Sequence, residues 1–537
     1  MGDWKRVIAA AVMAATMSIA ANGSQLRMAI HSDLKTFDPA KADDDAAITV
    51  RYLTGGVLVR FDRGKQATVP ELASSWKVME NGKRVRFQLR KGLTFSDGSP
   101  LTAKDVVASI EHLLAPETKS SVADGFQTAP GAIKVAAIGG DAVEVTFPAP
   151  VIGVDKLFDE VAIVPADKIT GVQGAGTPTS GEYMVKDYKQ GDSILLVRNP
   201  HYWRFQSGGA HGPDEIRLVV QQNRDVELSK FLNGDLHLIN TVDAENYNRI
   251  LSLQPKSVVD AGPSLDTDFL WFNQSPKAKI ADYKRAWFTS QAFRNAISSA
   301  IDRDDLARIA FSGHAQPAVG PVSEGNAFWF NHALKPHPFN RALAMQKLRQ
   351  DGFAQRNGKL VDRMGNPVAF SIITNAGNKT REKMALLIQQ DLAAIGMDVK
   401  VVTLDFPSLI ERMTRTLDYE ACILGFTNVE VDPMAQMNVW LSSSENHQWN
   451  PSEPKPATAW EAEIDRLMRE QASTNDAKTR KRAFDRVQQI VWEQEPFIYL
   501  VNKHTLSAVS PLVTGARVSK IWPQTFWNIP ELQVQQK

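Results

Sequence analysis

Val368-Ala-Phe-Ser-Ile-Ile-Thr374, Thr380-Arg-Glu-Lys-Met-Ala-Leu-Leu-Ile388, Met397-Asp-Val-Lys-Val-Val-Thr-Leu404 and Glu420-Ala-Cys-Ile-Leu-Gly425 follow one another in the order that a parallel sheet requires. Their patterns predict strand 368–374, helix 380–395, strand 397–404, helix 408–414 and strand 420–425, a βαβαβ unit. Met384, Leu387, Ile388, Leu392 and Ile395 give the first helix an apolar stripe, and Gly396 stands where helices commonly end in the left-handed conformation. Ligands on such sheets gather beyond the carboxyl ends of the strands. The loop leaving Gly425, residues 426–433, is therefore a candidate binding site on topology alone.

Working outward, a strand at 26–30 runs into Lys35-Thr-Phe-Asp-Pro39, and a hairpin turns at Asn81-Gly82 with Val85, Phe87 and Leu89 on one face. Thr102-Ala-Lys-Asp105 is a capping box ahead of Val106, Val107, Ile110, Leu113 and Leu114 at helical spacing. A strand follows at 142–147, a glycine-rich connection at 171–181, a second hairpin at 182–198, a strand at 216–220 and a short helix at 226–232. Beyond it lie a strand at 269–273, a helix whose buried face is Phe293, Ala296, Ile297, Ala300 and Ile301, two amphipathic helices at 458–472 and 477–493, and a strand at 497–501.

A chain of 537 residues is too long for one ordinary core, so two or three globular units are expected. Lys and Arg total 61 against 60 Asp and Glu, which removes the electrostatic footprint of a nucleic-acid binder. The basic start through Lys5-Arg6 and the alanine-rich run 7–20 read as a cleavable signal peptide over 1–21, since a spanning helix needs roughly 20 apolar residues. Cys422 is the only cysteine, so no disulfide or cysteine metal motif is available, and no cysteine follows the apolar run to carry a lipid. An exported protein, periplasmic and not a lipoprotein, is the expectation.

Sets of residues that would carry catalysis are absent from the pattern. Ser32-Asp-Leu-Lys35 lacks the companion motifs of the penicillin-recognising enzymes, Gly174-Ala-Gly176 lacks a third glycine, and the ten histidines show no metal-ligand spacing. Asp43-Asp44-Asp45 reads as a solvated surface and Cys422 as a buried thiol. Neither a cofactor nor a metal is expected.

Taken in order, Thr36-Phe-Asp-Pro39, Pro70-Glu-Leu-Ala-Ser-Ser-Trp76, Phe87-Gln-Leu-Arg-Lys-Gly-Leu-Thr-Phe-Ser-Asp-Gly-Ser-Pro-Leu-Thr-Ala-Lys-Asp-Val106, Ser180-Gly-Glu-Tyr183, Asn199-Pro-His-Tyr-Trp203, Phe293-Arg-Asn-Ala-Ile-Ser-Ser-Ala-Ile-Asp-Arg303 and Gly425-Phe with Asp432-Pro433 resemble the family 5 extracellular solute-binding proteins of ABC importers. The resemblance implies an α/β (mixed α+β) fold, two-lobed and periplasmic-binding-protein-like (class II, cluster C), with an extra inserted domain. On that pattern domain I comprises 22–55, 175–265 and 488–537, domain II 56–174 and domain III 266–487. It further implies a monomer, not an enzyme, that closes two lobes around a di- or oligopeptide or related small solute and docks on an inner-membrane ABC permease.

In peptide binders of this class an Asp in the loop after the Gly425-Phe426 equivalent holds the peptide ammonium. That position is Val429 here, with Glu430 beside it and Asp432 three residues on. Either carboxylate substitutes, or the ligand is a nickel-chelator complex, opine, sugar or haem; a secreted hydrolase using Glu430 and Asp432 is the remaining alternative. Asp432-Pro433 equally fits a cap on a helix running to Trp440. The candidate ligand contacts are Phe37, Asp38, Asn273, Phe426, Thr427, Val429, Glu430, Asp432 and Trp440.

Overall fold

Ala369–Asn375 pairs in parallel with Asp398–Leu404 on one side and with Ala421–Phe426 on the other, so the expected unit forms with its first strand in the middle. The structure is a computed structural model that describes residues 24–126, 131–169, 174–209, 211–427, 429 and 431–535. The expected signal peptide and Glu430 lie outside the described residues, as does part of the glycine-rich connection. Helix Lys379–Ala393 covers the parallel strands through Met384, Ile388 and Leu392, and Gly396 sits at φ +87° beyond its end.

Thr267–Phe272, buried at every position, adds antiparallel to Ala421–Phe426, and Phe497–Val509 adds antiparallel to it in turn. That last strand corrects the sequence reading, which ended it at 501. Asn502-Lys-His504 looks like a polar stop, but Asn502 buries its amide against Asp266 O and Thr267 Oγ1 at 3.0 and 2.7 Å, so the ladder continues. Its far end pairs with Leu238–Ile239 and Val258–Pro263, and the sheet then runs through Gln25–Ile30, Glu215–Val220, Ser193–Arg198 and Tyr183–Lys189. One strand therefore belongs to both halves of a twelve-stranded sheet among the described residues.

The halves keep separate cores. Leu270, Phe272, Phe293 and Ile388 pack on one face of the Thr267–Phe272 half, and Trp271, Trp440, Trp449 and Phe484 on the other. Leu26, Leu53, Leu196, Leu218 and Phe526 pack the other half. The boundary expected at 488 falls inside helix Ala477–Gln494, whose Ile490 and Val491 pack with Phe497 and Tyr499. Alternate residues of the strand, Ile498 and Leu500 with Val501, pack in the core on the opposite face.

A third core belongs to a four-stranded antiparallel sheet ordered Ala73–Met79, Arg84–Leu89, Ala142–Thr146, Lys134–Ile138. Helix Ala103–Leu114 covers it, opened by the expected capping box: Thr102 N and Oγ1 both donate to Asp105 Oδ2 at 2.8 Å. Phe87, Phe126, Phe147 and Phe158 fill the interior, each contributing about 1.5–3 kcal/mol by burial. Among the described residues no helix is long and apolar enough to cross a membrane.

Candidate functional site

A cleft of about 1210 Å³ opens between the sheet halves and the small antiparallel domain. Its floor is the crossing between the halves, Ser264, Leu265 and Asp266 beside Lys503, His504 and Thr505. One wall is the sheet-end loop, which contributes Thr427, Val429, Val431 and Asp432, as strand topology predicted. The opposite wall brings Asp45 and Arg51 of helix Asp45–Thr54, Arg224 and Glu227 of helix Arg224–Asn233, and Lys520 to Trp522. Phe61, Arg63, Phe126 and Lys156 come from the small domain.

Gly425 sets how that loop leaves the sheet. A Cβ there would lie 2.5 Å from Asp268 Oδ1 and 2.7 Å from Thr267 O. Arg381 Nε donates to the same Asp268 oxygen at 2.8 Å beneath the loop, and burial raises the Asp268 carboxyl above the usual carboxylate range even with Arg381 beside it. Gly425→Ala is expected to break this pair and cost about 1–3 kcal/mol in urea unfolding; an unchanged midpoint would show that the strand end yields freely.

Most charges of the cleft are internally matched. Arg63 pairs with Asp159 at 3.0 Å, Arg224 with Glu227 at 2.9 Å and Lys503 with Asp266 at 2.9 Å. His31 sits between Asp45 and Glu227 at 3.2 and 3.1 Å; burial opposes its charge, but those carboxylates outweigh burial and hold its pKa at about 9. Lys520 is half-buried on the wall and has no ion-pair partner among the described residues.

Asp432 is engaged on both oxygens. Arg480 grips it bidentately, with Nη1 to Oδ2 at 2.9 Å, and Met434 N donates to Oδ1 at 3.0 Å, capping the turn Pro433–Gln436 as the alternative reading of Asp432-Pro433 held. Lys156 reaches Oδ2 from the small domain at 3.5 Å. Burial works against this carboxylate, yet the Arg480 hydrogen bonds and charge prevail and lower its pKa.

Thr427, Val429 and Asp432 are thus on the cleft, while the other described candidates are not. Phe37 and Asp38 line a separate pocket of about 40 Å³. Phe37 packs edge-on against Tyr188, and Asp38 caps Pro39–Lys41 and meets His112 Nε2 at 3.0 Å. Asn273 is fully buried, with its amide donating to Leu417 O and Tyr419 O at 3.1 and 3.0 Å. Phe426 packs on Phe269, and Trp440 is buried against Trp449 and Phe497 with Nε1 donating to Gln436 at 3.0 Å. These side chains face cores because apolar area and satisfied amides are worth more inside than on a wet wall. Arg51, Arg63, Arg224, Lys503, Lys520 and Trp522 escaped the sequence reading, since they come singly from distant segments and form no motif.

Residues 67–448 match the family described as bacterial extracellular solute-binding proteins, family 5. The chain is 25% identical over 543 residues to a Deinococcus radiodurans protein named "Probable ABC transporter-binding protein", covering 92% of this chain and 89% of that one. It is 26% identical over 515 residues to "Probable D,D-dipeptide-binding periplasmic protein DdpA" of Escherichia coli K12, covering 92% of each. Its fold is shared with the unliganded open form of the periplasmic murein tripeptide binding protein MppA, at a TM-score of 0.77 and 20% identity over 96% of this chain and 98% of that one.

Proposed function

The chain belongs to the bacterial extracellular solute-binding proteins of family 5, and we propose that it captures a peptide or closely related zwitterionic solute in the periplasm for an inner-membrane ABC permease. It is a binding component of a transport system and not an enzyme. The observation that carries the peptide reading is the cleft itself. At about 1210 Å³ it exceeds the usual small-ligand pocket of about 300–1,000 Å³, and it is walled by charges of both signs that largely neutralise one another. Such a cleft suits a chain of amide groups with one charge at each end and ordered water between.

Within it Lys520, without an ion-pair partner among the described residues, is placed to meet a solute carboxylate. Asp432 is not the ammonium partner, because Arg480 and Lys156 already occupy it. Delivery follows from closure: a solute that touches both walls stabilises the closed arrangement, which the permease then reads. Export through a cleaved signal peptide and a monomeric state complete this reading, with domain I built on the Gln25–Ile30 half, domain II on the small sheet and domain III on the parallel unit.

Trp522 lines the cleft, so tryptophan emission titrated with di- to pentapeptides should change on binding. Lys520→Met is expected to weaken the best peptide by about tenfold or more, the worth of a charge-assisted hydrogen bond. If no library member alters either emission or melting temperature, the peptide reading falls.

A further inference from the structure

A cluster of titratable side chains lies where the two sheet halves cross. Asp260 on Val258–Pro263, His314 just before Ala315–Pro317 and His504 on Phe497–Val509 converge so that both imidazole Nδ1 atoms face Asp260 Oδ2, at 3.3 and 2.9 Å. Strand register builds the cluster: Pro263 pairs with His504, and His504 N donates to His314 O at 2.9 Å. His314 Nε2 lies 3.0 Å from Asn248 Oδ1, an acceptor, which orients the ring with Nδ1 toward the carboxylate. Two ring nitrogens and a carboxylate oxygen meeting at these distances need a hydrogen or a cation between them. Asp260 Oδ1 is held apart by Gly262 N at 2.8 Å, leaving Oδ2 for the shared position. His504 Nε2 is buried and makes no hydrogen bond among the described residues, so the ring is tied at Nδ1 to Asp260 alone.

We propose that Asp260, His314 and His504 form a site for a borderline divalent cation of the zinc or nickel kind, both histidines ligating through Nδ1. Two imidazoles and a carboxylate are donors such ions favour, and ligand atoms around a tetrahedral ion at about 2.0–2.1 Å stand at most about half an ångström further apart than Asp260 Oδ2 stands from either Nδ1. Asn248 and Gly262 supply the outer hydrogen bonds that aim ligating groups. His314 and His504 line the cleft, which gives a cation a path of entry. His314 follows Ala310 and Phe311 of one core, whereas Asp260 follows Val258 of another, so a bound ion bridges both sides of the crossing. A second cluster, His447 with Glu453 and Glu461, carries no such proposal: it is fully buried, and Trp449, Thr458 and Asn450 already engage its carboxylates.

The test is calorimetric titration of EDTA-stripped, desalted protein with zinc chloride, with thermal melts in parallel. One equivalent of zinc should bind and raise the melting temperature. His314→Gln and Asp260→Asn should each weaken binding at least about tenfold, while exposed His332→Gln binds as wild type. Should either variant misfold without metal, cobalt decides on the wild-type protein, whose visible bands should carry the intensity of a tetrahedral site. No uptake at millimolar zinc, uptake unchanged in both variants, or cobalt bands of an octahedral aquo ion would overturn the site.

Discussion

Glu182→Gln is expected to stabilise the protein at pH 8 and to flatten the fall of its melting temperature between pH 5 and pH 8. Glu182 stands just before strand Tyr183–Lys189, with Oε1 buried and lacking a hydrogen-bond partner among the described residues. Burial is the chief reason its pKa stands at about 8; Arg204, Arg60 and Arg198 pull down while neighbouring Glu71 pushes up. The unfolded carboxyl releases its proton near 4.5, so between these values the folded chain holds the extra proton and stability falls as pH rises. Discounted for the water that reaches the rest of the residue, the penalty above pH 8 is on the order of 3 kcal/mol. Glutamine keeps the shape and never ionises. The slope shrinks without vanishing, because Glu495, raised by burial to about 7, and His31, raised to about 9, both favour the low-pH side too. Glu71→Gln is the contrasting variant: its carboxylate accepts from Tyr202, Trp203 and Arg204, so its loss should destabilise. A Glu182→Gln protein that melts below wild type at pH 8 would show the carboxylate to be useful where it is.

The same residues explain what the sequence could and could not disclose. Family-like motifs turn out to be joinery. Glu71, Glu182, Asn199, Tyr202 and Trp203 come from three of them and meet at one seam, where Asn199 Nδ2 donates to Gly181 O at 2.8 Å. Arg294 and Arg303 of a fourth are buried, tying their helix region to Gln494 O and Tyr499 O. Asp38 of a fifth is a cap. Such positions admit few substitutes, since a buried polar group demands its partner, and they stand close enough in sequence to be read as words. The cleft has neither property. Lys503 and Lys520 are half-buried side chains whose neighbourhood is created by strand crossing, and the Asp260, His314 and His504 cluster spans more than two hundred residues of chain. Periodicity found the parallel unit and hence the loop at Thr427, but Asn502-Lys-His504 hid the strand that joins the halves, because local polarity cannot reveal that Asn502 has a buried acceptor waiting.

Asp432 separates stability from closure in one place, and two substitutions should divide them. Arg480 is nearly buried, donates to both Asp432 oxygens and to Gln471 O, and lies over the Trp329 ring at 5.0 Å. Arg480→Met should therefore cost about 3–5 kcal/mol, because it leaves a carboxylate in the core wall with only Lys156 and the Met434 N–H facing it. Arg480→Lys should recover little, since one ammonium cannot span both oxygens. Lys156 meets Asp432 from the other side at 3.5 Å and is far more exposed, so Lys156→Met should leave the melting temperature nearly unchanged. It joins the small domain to the opposite wall, as do Asn81 Nδ2 to Ser473 O at 2.6 Å and Gln66 Nε2 to Gly325 O at 3.3 Å. Contacts made only when the walls meet act on the open–closed equilibrium, and a solute's apparent affinity scales with the closed population. Asn81→Ala, at a residue outside the cleft lining, should then weaken solute binding several-fold, and Lys156→Met combined with it should weaken binding further. Solute affinity identical to wild type in the double variant would mean that these contacts do not gate closure, and that the solute alone holds the walls together.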